Sequence, residues 1–292
     1  MIGIGYHTDA FNSCNWNFEQ CLAWAARHDV RYIECAAIDG VYMLHSLGYW
    51  PHVALYEDPV LLRRKMDKYN VQLSEIDAAF PLSVPEGLTL GVEYVIHTIR
   101  WARMAGCPRI DTTDDKQKPA GLSDLEILQH LKRVYGLILP VAEAHDIMIN
   151  VEPHGYSTTK PDLMSEILNL YDSPCLGMNM DTGNTFIAGL DPVAYLERFI
   201  QRVNHIHIKD VSPELAAAMR GELTGIALSS TAIGDGVNAD NIRRCVEMLV
   251  RSGFQGVMSL ECDAQGGPLL ERSLTWTRSV LADAAAAAAA TG

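Results

Sequence analysis

Glu152, Asp181, His207 and Glu261 are the side chains of this protein best suited to chemistry. Glu152 ends the run IMINVE, Asp181 ends LGMNMD, His207 is the penultimate residue of VNHIHI, and Glu261 ends GVMSLE. Each run is short and apolar with no helical period, and each leads into a loop and then a helix-like stretch. Three carboxylates and a neutral imidazole form a hard, mixed oxygen and nitrogen set that suits Mn2+, Mg2+ or Co2+. A divalent ion between such carboxylates would polarise the oxygens of a hydroxy-ketone and stabilise an enediolate, while a nearby carboxylate or histidine removes the acidified proton. Singly, each acid has a plainer reading, because a carboxylate that ends a strand can cap the next helix. Repetition at four successive strand ends favours the metal site.

The elements that must position these residues alternate along the whole chain. Strand-like runs occupy residues 2–6, 32–35, 72–76, 109–111, 148–152, 176–180, 203–208 and 257–260, and the clearest helical spacing falls in 18–26, 94–104, 125–144, 163–170 and 241–250. Alternating β and α segments imply parallel strands joined by right-handed crossovers. Eight such units predict an α/β fold, a single-domain (β/α)8 TIM barrel over residues 1–283, followed by an Ala-rich tail, 284–292. In such a barrel all C-terminal strand ends open onto one rim, so the four residues converge. The alternative, an open doubly wound sheet, lacks its phosphate loop, since GIGYHTD does not have GxGxxG spacing. Long loops at 36–58, 112–123 and 211–238 are expected to cover the rim.

Composition excludes several classes of protein. The chain has 292 residues, 48% hydrophobic and 20% charged, and a formal net charge of −13. That charge argues against a nucleic-acid partner, which needs a basic face. No run of about 18 apolar residues would span a membrane, and MIGIGYHTDA lacks the pattern of a signal peptide. Seven singly scattered cysteines without a CxxC pair fit a reducing compartment, so the expected location is cytoplasmic.

The segments NVEPHG, NMDTGNTFIAG, HIHIKD and SLE, in that order, resemble the xylose-isomerase-like superfamily of sugar isomerases and epimerases. The resemblance implies one metal ion bound by Glu152, Asp181, His207 and Glu261, with Mn2+ the first choice and Mg2+ or Co2+ the alternatives. It selects His207 over His205, and strand alternation then leaves His205 on the same side as a packing or supporting group. Similarity to the ketose 3-epimerases implies that Glu152 and Glu261 exchange the substrate proton. Three epimerase substrate contacts are replaced, by Asn184, Pro213 and Thr158.

The DTG…AG…DP and HxHxKD segments instead resemble inosose dehydratases and the catalytic subunits of C-glycoside deglycosidases, which work by β-elimination next to a ketone. That resemblance favours a lyase over a free-ketose isomerase or epimerase. His154 in EPHG is then a candidate general base, or else a hydrogen-bonded loop residue. Lys209 either orients a substrate oxygen or pairs with Asp210 or another rim acid. His7, Glu34, Asp77 and Asn184 are candidate contacts for sugar hydroxyls, and Tyr49, Trp50 and His52 either wall the ring or pack on the barrel. Gly234 and Gly236 in IGDGVN suit a tight turn. A three-zinc DNA-repair endonuclease of the same fold would need more strand-end histidines and a basic surface. The other alternative is a non-catalytic subunit that retains a structural metal. The expected partner is a small-molecule sugar or glycoside, with a homo-oligomer or a small partner subunit also compatible.

Overall fold

Eight parallel strands close on themselves in the computed structural model, which describes residues 2–38, 51–222, 224–225, 229–262 and 267–291. In chain order the strands are β1 (Gly3–His7), β2 (Tyr32–Ile38), the two-residue β3 (Val53–Ala54), β4 (Gln72–Pro81), β5 (Arg109–Thr113), β6 (Met148–Val151), β7 (Leu176–Asp181), β8 (Val203–Ile208) and β9 (Val257–Leu260). β1 closes the barrel by pairing with both neighbours, Gly5 opposite Tyr32 of β2 and Gly3 opposite Val257 of β9. β3 is an addition beside the end of β2, within a stretch that reads as loop because two residues are too short to show a period.

Several strand ends differ from the sequence expectation, and β2 and β5 run on to Ile38 and Thr113. β4 continues to Pro81, five residues past the expected end, because Ala78, Ala79 and Phe80 supply no turn signal before the proline. Glu152 falls one residue beyond β6, yet its N–H still donates to Thr112 O at 3.1 Å, and Glu261 N–H likewise donates to Ile208 O at 3.0 Å. Both glutamates therefore keep the strand's alternation and point inward.

The crossover helices begin and end where local chemistry satisfies their free backbone groups. Asn17 with Gln20, and Ser123 with Glu126, form reciprocal capping boxes at the starts of Phe18–Arg27 and Asp124–His145. Asp58 and Asp191 cap helices that open with proline, and Gly106 and Gly253 end two helices with positive φ. Helix Ala239–Ser252 buries Ile242, Cys245, Val246 and Leu249, a stripe of three- and four-residue spacing against the barrel wall. The final helix, Gly267–Thr291, runs on through the alanine stretch. No described helix is long and apolar enough to cross a membrane.

Alternation sorts each barrel strand into two faces. Ile149, Val151, Met178, Met180, Ile206 and Ile208 are buried on the helix-facing side. The inward residues of β6 to β9 form two levels: Glu152, Asp181, His207 and Glu261 at the rim, and Asn150, Asn179, His205 and Ser259 two residues earlier on each strand. Barrel interiors are ordinarily filled by branched aliphatics, whereas this lower level is polar. Buried polar groups are costly unless paired; Asn150, Asn179 and His205 are paired, whereas Ser259 Oγ has no hydrogen-bond partner among the described residues. Asn150 donates to Glu75 at 2.7 Å, Asn204 donates to Asn150 at 2.8 Å, and His205 Nδ1 lies 2.7 Å from a Glu75 oxygen.

Candidate metal centre and active site

His207 organises the rim. Its Nδ1 lies 3.0 Å from Glu152 Oε1, 3.1 Å from Glu261 Oε2 and 3.7 Å from Asp181 Oδ2, while Nε2 faces Glu34 Oε1 at 2.9 Å on the other side of the ring. One ligand atom from each of Glu152, Asp181, His207 and Glu261 lies within 4.8 Å of the others. Asp181 caps a helix with one carboxylate oxygen and turns the other to the cluster. Oδ1 accepts the N–H groups of Gly183 and Asn184 at 2.6 and 2.7 Å, which starts helix Thr182–Ile187, and Oδ2 is left for the cluster.

The donor set fits a divalent cation. Asp181 Oδ2 and Glu261 Oε2 are buried and accept no well-aligned hydrogen bond, although Lys209 Nζ stands 3.2 and 2.8 Å from them. With all three carboxyls ionised and the imidazole neutral, as ligation requires, the set keeps net negative charge beside the Lys209 ammonium, which a hard divalent ion balances. Glu34, His205 and His207 form a second group with ligand-capable atoms. It shares His207 with the first and supplies one carboxylate instead of three, so the four-residue set is the stronger cradle.

Electrostatics separates the two glutamates. Burial raises Glu152 to about 8, with Asp181 and Glu261 adding to the effect against the opposing pull of His207. Burial also opposes ionisation of Glu261, but the Lys209 and His207 charges outweigh it and hold that carboxyl well below its usual range. For His207, burial disfavours the cation and the carboxylates Glu34 and Glu261 overcome it, raising the imidazole. Burial likewise opposes a charged Lys209, and Asp181 with Glu261 keep it protonated.

The other expected residues divide by position. His7 is buried at the rim, its ring 6.1 Å from that of His207. Asn184 donates to Glu152 Oε1 at 3.1 Å and accepts from Lys209 Nζ at 3.4 Å, so it touches two members of the cluster. Glu34 is fully buried behind His207 and does not open to the barrel mouth. His154 stands apart, with no ring contact to the four-residue set among the described residues. Its N–H donates to Thr158, its Nδ1 is buried without a partner, and burial followed by the Lys209 and Lys116 charges lowers it to about 4. Burial and the Glu152 charge raise Asp77, whose Oδ1 has no partner. Tyr49 and Trp50 lie outside the described residues.

Three positions do work that spacing did not reveal. Thr158 is buried, and its hydroxyl donates to Asp114 at 2.6 Å and accepts the N–H groups of His154 and Gly155. The loop after β6 is thereby latched to the loop after β5. Pro213 is the first residue of helix Pro213–Met219, capped by Ser212. Asp210 leaves Lys209 to the metal-site acids and accepts four backbone N–H groups, from Val211, Gly234, Gly236 and Asn238, at 2.8–3.0 Å. That clamp explains Gly236, because a Cβ there would lie 2.3 Å from Asp210 Oδ1. The acids Asp9, Glu75 and Asp114 had no local signal, since their partners are distant in sequence.

A parallel barrel with a hard ligand set on its C-terminal rim defines the class. Residues 22–280 match the model of the xylose isomerase-like TIM barrel family, and the chain belongs to that family. An inosose dehydratase of Clostridium botulinum (strain Eklund 17B / Type B) is 25% identical over 114 residues, 37% of this chain and 37% of that protein. The chain thus matches well under half the length of this curated relative. A structure of L-ribulose 3-epimerase superposes with a TM-score of 0.76 at 14% identity, covering 100% of this chain and 98% of that one. The IolI protein with a binding zinc atom gives 0.74 at 16% identity, covering 97% and 99%. At these identities the two structures speak to the fold alone.

Proposed function

We propose that this protein is a metal-dependent enzyme that removes the proton α to the carbonyl of a keto-sugar or keto-glycoside. The observation that carries this reading is the placement of Glu152 and Glu261 on either side of His207 Nδ1, at 3.0 and 3.1 Å, with Asp181 beside them. The cradle would hold one divalent ion, Mn2+ first and Mg2+ or Co2+ next, through Glu152, Asp181, His207 and Glu261. When bound, such an ion polarises substrate oxygens and offsets negative charge that develops on them. The zinc named for the IolI protein supports metal binding in this family without choosing the metal.

Glu152 and Glu261 are the proton-transfer groups in this reading. Asn184 fixes the Glu152 carboxyl, and Lys209 is placed to hold a substrate oxygen beside Glu261. Glu34 orients His207 by accepting from Nε2, which leaves Nδ1 for the ligand set. His7 would contact the substrate, and His154, uncharged at neutral pH, is the second candidate base.

After deprotonation, the electron pair of the C–H bond enters an enediolate. Loss of a β-substituent with its bonding pair then gives elimination, as in a dehydratase or a C-glycoside deglycosidase, whereas reprotonation on the other face gives epimerisation. Elimination is the favoured outcome. The inosose dehydratase match supports it, and so does the loss of three epimerase contacts: Thr158 is committed to its latch, Pro213 opens a helix, and Asn184 is bonded to Glu152.

The test incubates the Mn2+-loaded protein in D2O with an inosose, a 3-keto-glycoside and a free ketose. Release of water or aglycone supports elimination, and deuterium in recovered sugar without group loss supports epimerisation. Bound metal with no exchange in any substrate would refute the carbon-acid reading. Glu261→Gln should lower metal affinity or turnover sharply, and unchanged activity would contradict its role.

A further inference from the structure

A hydrogen-bonded cluster outside the ligand set lies on the β1 side of the rim. Asp9 N–H donates to His7 Nδ1 at 3.2 Å, and the Asp9 carboxylate is farther from that nitrogen, at 3.4 Å. His52 is oriented by a similar device. Ala36 N–H donates to His52 Nδ1 at 3.1 Å, and Nε2 faces Asp9 Oδ1 at 3.1 Å. Asn12 donates to the same carboxylate oxygen at 2.8 Å. Asp9 thus stands between two buried imidazoles, with His7 and His52 ring centroids 5.9 Å apart.

The donors fix the tautomers. A neutral imidazole has one lone-pair nitrogen and one N–H. A ring whose Nδ1 accepts a backbone N–H therefore carries its proton on Nε2. In His52, Nε2 stands 3.1 Å from Asp9 Oδ1, a contact by distance rather than an aligned hydrogen bond. In His7, Nε2 has no hydrogen-bond partner among the described residues and is not among the polar atoms sealed from solvent. The His7 ring stands edge-on to His207, with centroids 6.1 Å apart and an interplanar angle of 77°, which puts it beside the metal cradle.

We propose that His7 Nε2–H is a hydrogen-bond donor to the substrate oxygen on which negative charge develops, and that Asp9 is a positioning residue that holds the ring in that tautomer through its backbone N–H. This rests on the carbon-acid reading of the site. The chemical class it selects is a carbonyl compound that presents an oxygen lone pair to His7. A phosphate or carboxylate at that position is disfavoured, because the ionised Asp9 stands directly behind the ring. A preorganised donor of this kind acts in the transition state, and loss of one oxyanion donor typically costs about 10²–10³ in kcat.

Two measurements on the full chain test the proposal, NMR with diamagnetic Mg2+ added and isotope exchange with Mn2+ added. In the wild-type protein, 15N NMR of the histidine side chains should show His7 in the Nε2–H form, with Nδ1 unprotonated. An Nδ1–H form or an imidazolium at pH 7 would overturn the proposal whatever the variants do. In solvent-deuterium exchange with inosose or a 3-keto-glycoside, His7→Ala should lower kcat by about 10²–10³ with Mn2+ affinity unchanged. His7→Gln keeps a donor nitrogen at similar reach and should recover at least tenfold. Glutamine no better than alanine, or full exchange in His7→Ala, would sink the donor role. If the wild-type protein exchanges no ketone at all, the carbon-acid reading fails, while the NMR result still decides the tautomer.

Discussion

Glu34 Oε1 lies 2.9 Å from His207 Nε2, on the opposite side of the ring from the three carboxylates that face Nδ1. The pair comes from β2 and β8 and is buried at both ends. A carboxylate that accepts from the far nitrogen of a ligating histidine fixes both its tautomer and its orientation.

Glu34→Gln should therefore weaken divalent-metal binding by about 10–100-fold without removing a ligand. Competition titration of Mn2+ against a chelator measures it. Affinity equal to wild type would show that Glu34 does not orient the ligand.

Metal binding should also stabilise the fold. The cradle joins residues from four strands, so an ion bound only by the native state raises the unfolding free energy by about 2.7 kcal/mol at a free concentration 100 times Kd. Thermal unfolding across an Mn2+ series, with EDTA as the zero point, should show Tm rising with concentration. A flat series would contradict a preformed site.

Lys209 presents a sharper case. Its ammonium is buried with Asp181 and Glu261 at 3.2 and 2.8 Å, and its stem packs on Gly183, where a Cβ would lie 2.6 Å from Lys209 Cγ. Lys209→Met keeps the stem and strands the two carboxylates, which should cost on the order of 3–5 kcal/mol. Saturating Mn2+ should recover part of that loss. Urea unfolding with and without metal separates the two effects, and an equal loss in both conditions would mean that the ion and the ammonium do not share these carboxylates.

Asp114 sets a pH dependence of stability. Burial raises its carboxyl to about 6, against the hydrogen bonds from Thr158 and Ser157 that favour the anion. The native state then holds this proton more tightly than the unfolded chain. The contribution of Asp114 to stability is therefore most favourable below the ordinary Asp value of about 3.9 and falls as pH rises towards 6. In Asp114→Asn that slope disappears. The difference in unfolding free energy, wild type minus variant, should drop by roughly 2–3 kcal/mol between pH 4 and 7. A constant difference would show that Asp114 does not titrate in that window.

The alternation of strand-like and helical periods, and the residue types at four strand ends, were legible in the sequence because they are local. A period needs only neighbouring residues, and a parallel barrel sends every C-terminal strand end to one rim. The roles of the surrounding residues depended on contacts between distant segments. Glu34 reads as a rim residue until β8 places His207 against it, a separation of 173 positions. Thr158 stands where the epimerases have a substrate contact, and Asp210 reads as a partner for Lys209, until Asp114, Gly234 and Gly236 arrive from other loops. Asp9, His52 and Ala36 have no motif, yet the fold joins them into one hydrogen-bonded group. Hydrogen bonds act over about 3 Å, so a side chain's task is decided by whatever the folded chain brings within that distance. The ligand pattern belonged to the sequence alone; the proton positions and the supporting partners were decided by the tertiary structure.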